Sequence, residues 1–151
     1  MDAIDLLTSD HKKVRALLDK LSGTSESAER EREELLDQIE QELEVHTAIE
    51  EEIFYPAFKE AGGKEGAKMF YEAVEEHRAV SELVLPDLTN TTPTSERFSG
   101  RAKVLKELVE HHADEEEEEM FPRAKKIFTK EQLEDLGQRM EARKEELLRA
   151  K

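Results

Sequence analysis

The sequence predicts an all-α fold: an up-down-up-down four-helix bundle with a short C-terminal fifth helix. Three observations predict it. Apolar residues recur at helical spacing through four long segments, and no stretch alternates with the period of two that a strand would need. The chain also carries an internal duplication at an offset of 66 residues, which pairs the first two segments with the next two. At 151 residues the chain has the size of one domain. The expectation is one domain over 1–151, with half-repeats at about 1–62 and 64–127 and a C-terminal helix at about 130–149.

In the first segment Leu7, His11, Val14, Leu18 and Leu21 share one helical face, and Gly23 with the following Ser/Thr cluster ends it. The second runs from about Ala28 to Glu60, with Leu35, Ile39, Leu43, His46, Glu50 and Ile53 aligned, and Gly62-Gly63 stops it. The third begins near Lys64, aligns Phe70, Val74, His77, Val80 and Val84, and closes around Pro86. The loop Thr89 to Thr94 offers Thr caps and, in Pro93, a residue suited to a first helical turn. The fourth segment carries Phe98, Ala102, Leu105, Val109, His112, Glu116 and Met120. Thr129 with Gln132 forms a capping box for the fifth helix, Leu133 to Leu148. Pro56 and Pro122 fall inside helical patterns, where each is expected to kink its helix or end it one residue earlier. Short connections between long helices imply antiparallel neighbours.

Composition narrows the function. With 38 acidic and 23 basic residues the net charge is −15, which repels phosphate backbones and anionic lipid. Nucleic-acid and membrane-surface partners are therefore not expected. No apolar run is long enough to span a bilayer, and the start Met1-Asp2-Ala3-Ile4-Asp5 is acidic where a signal peptide is basic. The absence of cysteine excludes disulfides, thiolate metal sites and thiol catalysis. The expectation is a cytoplasmic protein.

The repeat selects the chemistry. His11 pairs with His77, His46 with His112, Glu50 with Glu116 and Pro56 with Pro122; four of the five histidines obey the offset. Each of these histidines lies on an apolar helix face. Residues i and i+4 share a face, so His46 with Glu50 and His112 with Glu116 point into the core together. Two buried carboxylates without partners would cost several kcal/mol, and a pair of divalent or trivalent metal ions supplies the missing charge. His111 and Glu115 are also four apart, but the offset and the ten-residue spacing to each proline both choose His112. Within the acidic run Asp114 to Glu119, Glu119 returns to the inner face and is a candidate acid behind the ligands. Glu-x-x-His pairs, His-Glu-x-x-His, Gly-rich phosphate loops and EF-hand loops are all absent.

The order Asp10-His11, then His46-Thr47-Ala48-Ile49-Glu50-Glu51 ending in Phe54-Tyr55-Pro56, then Glu76-His77, then His112-x-x-x-Glu116 ending in Phe121-Pro122, resembles the hemerythrin-like HHE cation-binding domains. The resemblance spans essentially the whole chain. It implies two iron ions with a bridging oxo or hydroxo, and a ligand that is a small oxidant: dioxygen, nitric oxide or peroxide. It implies His11 and His46 on one ion, His77 and His112 on the other, and Glu50 and Glu116 bridging. Oxygen-carrying hemerythrins have a further histidine one turn before the third-helix ligand; here that residue is Ala73. That leaves an open position on each ion, or a gap for another donor, for which Tyr55 and Tyr71 are the phenols present. The functions implied are sensing, storage or detoxification of the oxidant. The alternatives are a peroxide-disproportionating enzyme, with Glu119 moving protons, and a metal-free helical interaction module. The apolar shell is expected to admit diatomics and peroxide and to exclude bulky molecules.

Overall fold

The computed structural model describes residues 1–151 and is helical almost throughout, with no strand. The helices are α1 (Ala3–Ser22), α2 (Glu29–Ile49), α3 (Tyr55–Ala61), α4 (Gly63–Arg78), α5 (Leu85–Thr89), α6 (Glu96–Glu115), α7 (Phe121–Ile127) and α8 (Lys130–Arg149). Three π-helical segments join them in pairs: Glu50–Phe54 between α2 and α3, Ala79–Val84 between α4 and α5, and Glu116–Met120 between α6 and α7. The bundle therefore has four rods, the second, third and fourth each built as α–π–α.

The caps follow local chemistry. Asp2 accepts from the Asp5 amide at 2.8 Å while the Asp2 amide donates back to Asp5, closing a capping box at the start of α1. Thr129 and Gln132 form the expected box on α8, which at 20 residues matches α1 in length and is not short. Two boundaries differ from expectation. The cap of α6 is Ser95, not a threonine, and Pro93 stays outside the helix. The third rod continues past Pro86 to Thr89.

The prolines neither end nor break their helices. Each lies at the second residue after a π segment: Pro56, Pro86 and Pro122. Proline has no N–H to donate and its ring crowds the carbonyl four residues back. An i→i+5 turn just before it absorbs that conflict with one extra residue. Glycine makes the corner between the second and third rods. Gly62 is packed so closely that a Cβ there would lie 2.7 Å from the Phe58 carbonyl oxygen, and Gly63 adopts φ +66°.

The core has two apolar clusters. One gathers Leu7, Ile49, Phe54, Phe58 and Phe121 with Leu136 and Met140 of α8. The other gathers Val14, Leu18, Ile39, Leu88, Phe98 and Leu105 toward the opposite end. Arg32 closes that end, donating to Thr24, Ser99 and the Pro93 carbonyl while its guanidinium covers the Phe98 ring. The layer between the clusters is polar, and it holds the candidate site.

Candidate metal centre

Four rods each deliver one imidazole to this layer: His11 from α1, His46 from α2, His77 from α4 and His112 from α6. Glu50 and Glu116, the first residues of their π segments, complete it. Three of the histidines and both glutamates are buried, and His112 is nearly so. The six side chains predicted from the repeat therefore come together. His11, His46, Glu50 and Glu116 converge on one point, and Glu50, His77 and His112 on a second, with Glu50 common to both. His111 is well exposed and turned to the surface.

Every imidazole uses the same nitrogen inward. The Nε2 atoms of His46 and His77 each lie 3.1 Å from Glu50 Oε1. His11 Nε2 is 3.0 Å and His112 Nε2 3.5 Å from Glu116 Oε1. Each Nδ1 is held from behind by a carboxylate: His11 by Glu117 at 2.7 Å, His46 by Asp10 at 3.0 Å, His77 by Glu51 at 3.1 Å and His112 by Glu76 at 2.6 Å. In the neutral ring, a carboxylate on Nδ1 favours the proton there and leaves the Nε2 lone pair free, the arrangement metal-ligating histidines use. These four acids went unassigned in the sequence, yet the same offset marks them, pairing Asp10 with Glu76 and Glu51 with Glu117.

The phenols and Glu119 divide differently from expectation. Tyr55 is fully buried; its hydroxyl donates to Glu116 Oε2 at 2.7 Å and lies 3.2 Å from both His77 Nε2 and His112 Nε2. Tyr71 is exposed and accepts from Lys59, so it is no candidate ligand. Glu119 is exposed, and Glu117 takes the place behind a ligand instead. One physical cause explains both Tyr55 and Glu119. Ideal α-helical phase turns Tyr55 away from the site and Glu119 toward it. The extra residue of a π turn rotates every later side chain by about 100°, so Tyr55 stacks beyond Glu50, with its amide bonded to the Glu50 carbonyl. At the position equivalent to Tyr55 the other half has Phe121, whose ring stacks on His11 with centroids 5.8 Å apart.

Burial opposes charge on all of these groups, and the neighbours decide the outcome. For His77 burial alone lowers the pKa, but the adjacent Glu50 and Glu51 carboxylates prevail and hold it at about 9. His46 is likewise lowered by burial but raised well above the usual value by the Glu50 charge and the Asp10 bond. Burial pushes both glutamates up. The His46 charge overrides this for Glu50, which lies well below the ordinary carboxylate value. For Glu116 the Glu50 charge adds to burial, and its pKa is raised.

The donor set fits a pair of cations. Both Glu50 oxygens and His46 Nε2 are buried with no hydrogen-bond partner. Unpaired atoms of that kind are costly unless something else binds them. Residues His11, His46, His77, His112, Glu50 and Glu116 supply nitrogen and oxygen donors suited to first-row transition metals.

The site is less enclosed than the apolar face pattern suggests. A cavity of about 470 Å³ reaches all four histidines, which corrects the expectation that bulky molecules are kept out.

Comparison with known proteins agrees with this geometry. The family model described as "Hemerythrin HHE cation binding domain" matches residues 2–124. An uncharacterized protein of Mycobacterium tuberculosis, Rv2633c, is 33% identical over 148 residues, covering 97% of this chain and 88% of its own length. A Mycobacterium bovis protein, also uncharacterized, matches to the same extent. The crystal structure of an HHE cation-binding domain-containing protein from Mycobacterium kansasii, described as an Rv2633c homolog, superposes with a TM-score of 0.85 at 32% identity, over 97% of this chain and 87% of that one. With a four-rod bundle, one inward histidine per rod and a glutamate four residues after two of them, the chain belongs to the hemerythrin HHE cation-binding family.

Proposed function

We propose that this chain holds two iron ions and uses them to bind and react with a small oxidant: dioxygen, nitric oxide or peroxide. The observation that carries the reading is the convergence of four Nδ1-anchored imidazoles and two carboxylates on two adjoining points, with Glu50 shared. His11 and His46 would hold one ion, His77 and His112 the other, and Glu50 and Glu116 both. Bound iron would supply the electrons exchanged with the oxidant. The protein's own part is to fix the donors and to leave a cavity from which both histidine pairs are reached.

The two ions are not equivalent on this reading. Tyr55 stands beside His77 and His112 as an additional oxygen donor on that side, where the His11 side has only the phenyl ring of Phe121. Tyr55 would therefore add an oxygen donor on the His77/His112 side that the His11/His46 side lacks.

Peroxide disproportionation is the second reading. It is favoured by the one cavity that reaches both histidine pairs, so that a two-oxygen molecule meets both at once. Metal analysis with anomalous scattering at the iron edge tests the centre: two irons per chain at these residues are expected, and fewer than about one per two chains would overturn it. An oxygen electrode separates the two reactions. Oxygen release on adding hydrogen peroxide marks disproportionation; a reversible spectral change under dioxygen without turnover marks binding.

A further inference from the structure

The cavity above the histidines is where the two halves of the repeat part company. On the first rod Val14, Leu17 and Leu18 are buried in the core. Their counterparts at the same offset, Val80, Leu83 and Val84, lie in the π segment Ala79–Val84, in which no residue is buried, and Leu83 is 61% exposed. The first rod has no such segment; α1 runs unbroken from Ala3 to Ser22. A π turn widens the helix and re-aims its side chains; here the third rod turns Val80 and Ser81 to a hollow that His11, Val14 and Arg15 of the first rod also line.

That hollow is far larger than an oxidant of two atoms requires. A water's share of liquid volume is about 30 Å³, so a cavity of about 470 Å³ has room for an organic molecule, and it falls in the range of small-molecule sites. Its walls are apolar: Val14, Leu43, Val80, Leu85 and Val109. Its polar lining comprises the four imidazoles, Glu40, Glu44 and Glu76, and the hydroxyls of Thr47, Ser81 and Thr89. The cavity's only cationic side chain, Arg15, is already paired with Asp114 and Glu117. The glutamates and the net charge of −15 disfavour an anion. Walls of valine and leucine side chains disfavour a charged ligand of either sign.

We propose that this cavity binds an uncharged organic molecule of roughly ten to fifteen non-hydrogen atoms, its apolar body against the valine and leucine walls and a hydroxyl-bearing end toward the imidazoles. Alkyl hydroperoxides and their alcohols have this form. The direction of the hydroxyl end rests on the dinuclear reading above; the presence of a binding site does not.

The test is calorimetric titration of the iron-loaded protein with 2-phenylpropan-2-ol, an unreactive alcohol of this shape, and with phenylacetate, an anion of similar size. Saturable binding of one alcohol per chain is expected, with phenylacetate at least tenfold weaker. Val80→Phe, which fills the cavity, is expected to weaken the alcohol at least tenfold with iron content unchanged. Ser81→Phe, at a more exposed lining position, gives the same test should the first variant fold poorly. Alcohol binding with no iron retained would overturn the dinuclear reading and support the cavity site. Two irons per chain with no saturable alcohol binding, with phenylacetate bound as tightly, or with binding unaltered in both variants, would overturn the cavity site.

Discussion

Asp10, Glu51, Glu76 and Glu117 each hold a histidine by its Nδ1, so on the proposed reading a change at any of them would act on a bound metal through the imidazole. Asp10→Asn keeps the size of the side chain but loses the charge, and is expected to weaken iron binding about 10- to 100-fold; competition with a chelator of known affinity measures it. Tyr55→Phe removes the hydroxyl beside His77 and His112. Iron content is expected to stay near two per chain, while a visible band that phenolate gives with ferric iron disappears. A wild-type ferric protein with no such band would remove Tyr55 from the donor set. Burial, with the charges of Glu116 and Glu50, holds the Tyr55 pKa well above its usual value in the metal-free chain, so its proton leaves only when a cation binds beside it.

At the scale of elements, α8 is tied to the centre as well as to the bundle. Lys144 donates to Asp10 at 2.5 Å, and Asp10 in turn holds His46. The family match ends at residue 124, before this helix begins. Lys144→Met is expected to lower both the melting temperature and iron affinity, with the affinity loss smaller than that of Asp10→Asn, since the Asp10–His46 bond survives. Gly137 is where α8 crosses the chain start: a Cβ there would lie 2.5 Å from the Met1 carbonyl oxygen and 2.8 Å from the Ala3 nitrogen. Alanine is worth about 1 kcal/mol over glycine inside an ordinary helix, but overpacking costs about 1–3 kcal/mol and backbone atoms cannot step aside. Gly137→Ala is therefore expected to destabilise the protein, read as a lower melting temperature. A stabilised variant would show that α8 is not packed where the structure has it.

For the whole molecule, pH and a bound metal are expected to pull in opposite directions. In the metal-free chain His77 is held at about 9 against an ordinary value of 6.5, and His46 and His112 are raised as well. A raised folded-state pKa contributes stability that is fully present below the unfolded value and is lost as pH rises through the folded one. The metal-free chain is thus expected to melt at a lower temperature at a pH of about 9 than at about 6. Asp10, Glu50 and Glu76 are lowered, so their contribution is lost only in the acid range and leaves this window untouched. Iron needs neutral imidazoles, so its binding strengthens as pH rises, and the iron-loaded chain is expected to keep or raise its melting temperature over the same interval. Differential scanning calorimetry of both forms reads this directly; parallel pH profiles would show that the histidines do not carry the metal. Chelation at neutral pH is expected to lower the melting temperature, because Glu50 loses its counter-charge.

The sequence by itself determined the helical class, the two-fold repeat and the six convergent residues, because helical periodicity and a fixed offset are properties of the chain order. It also contained the offset that pairs Asp10 with Glu76 and Glu51 with Glu117, although only the hydrogen bonds showed what those acids hold. The π segments lay beyond it. A proline in a helical pattern announces a conflict, and whether the chain kinks, stops or inserts a residue depends on what packs around it. That choice put Tyr55 inside and Glu119 outside. Tertiary structure decided these points because a single extra residue per turn changes every direction after it, and the energy that selects it comes from distant neighbours rather than from local sequence.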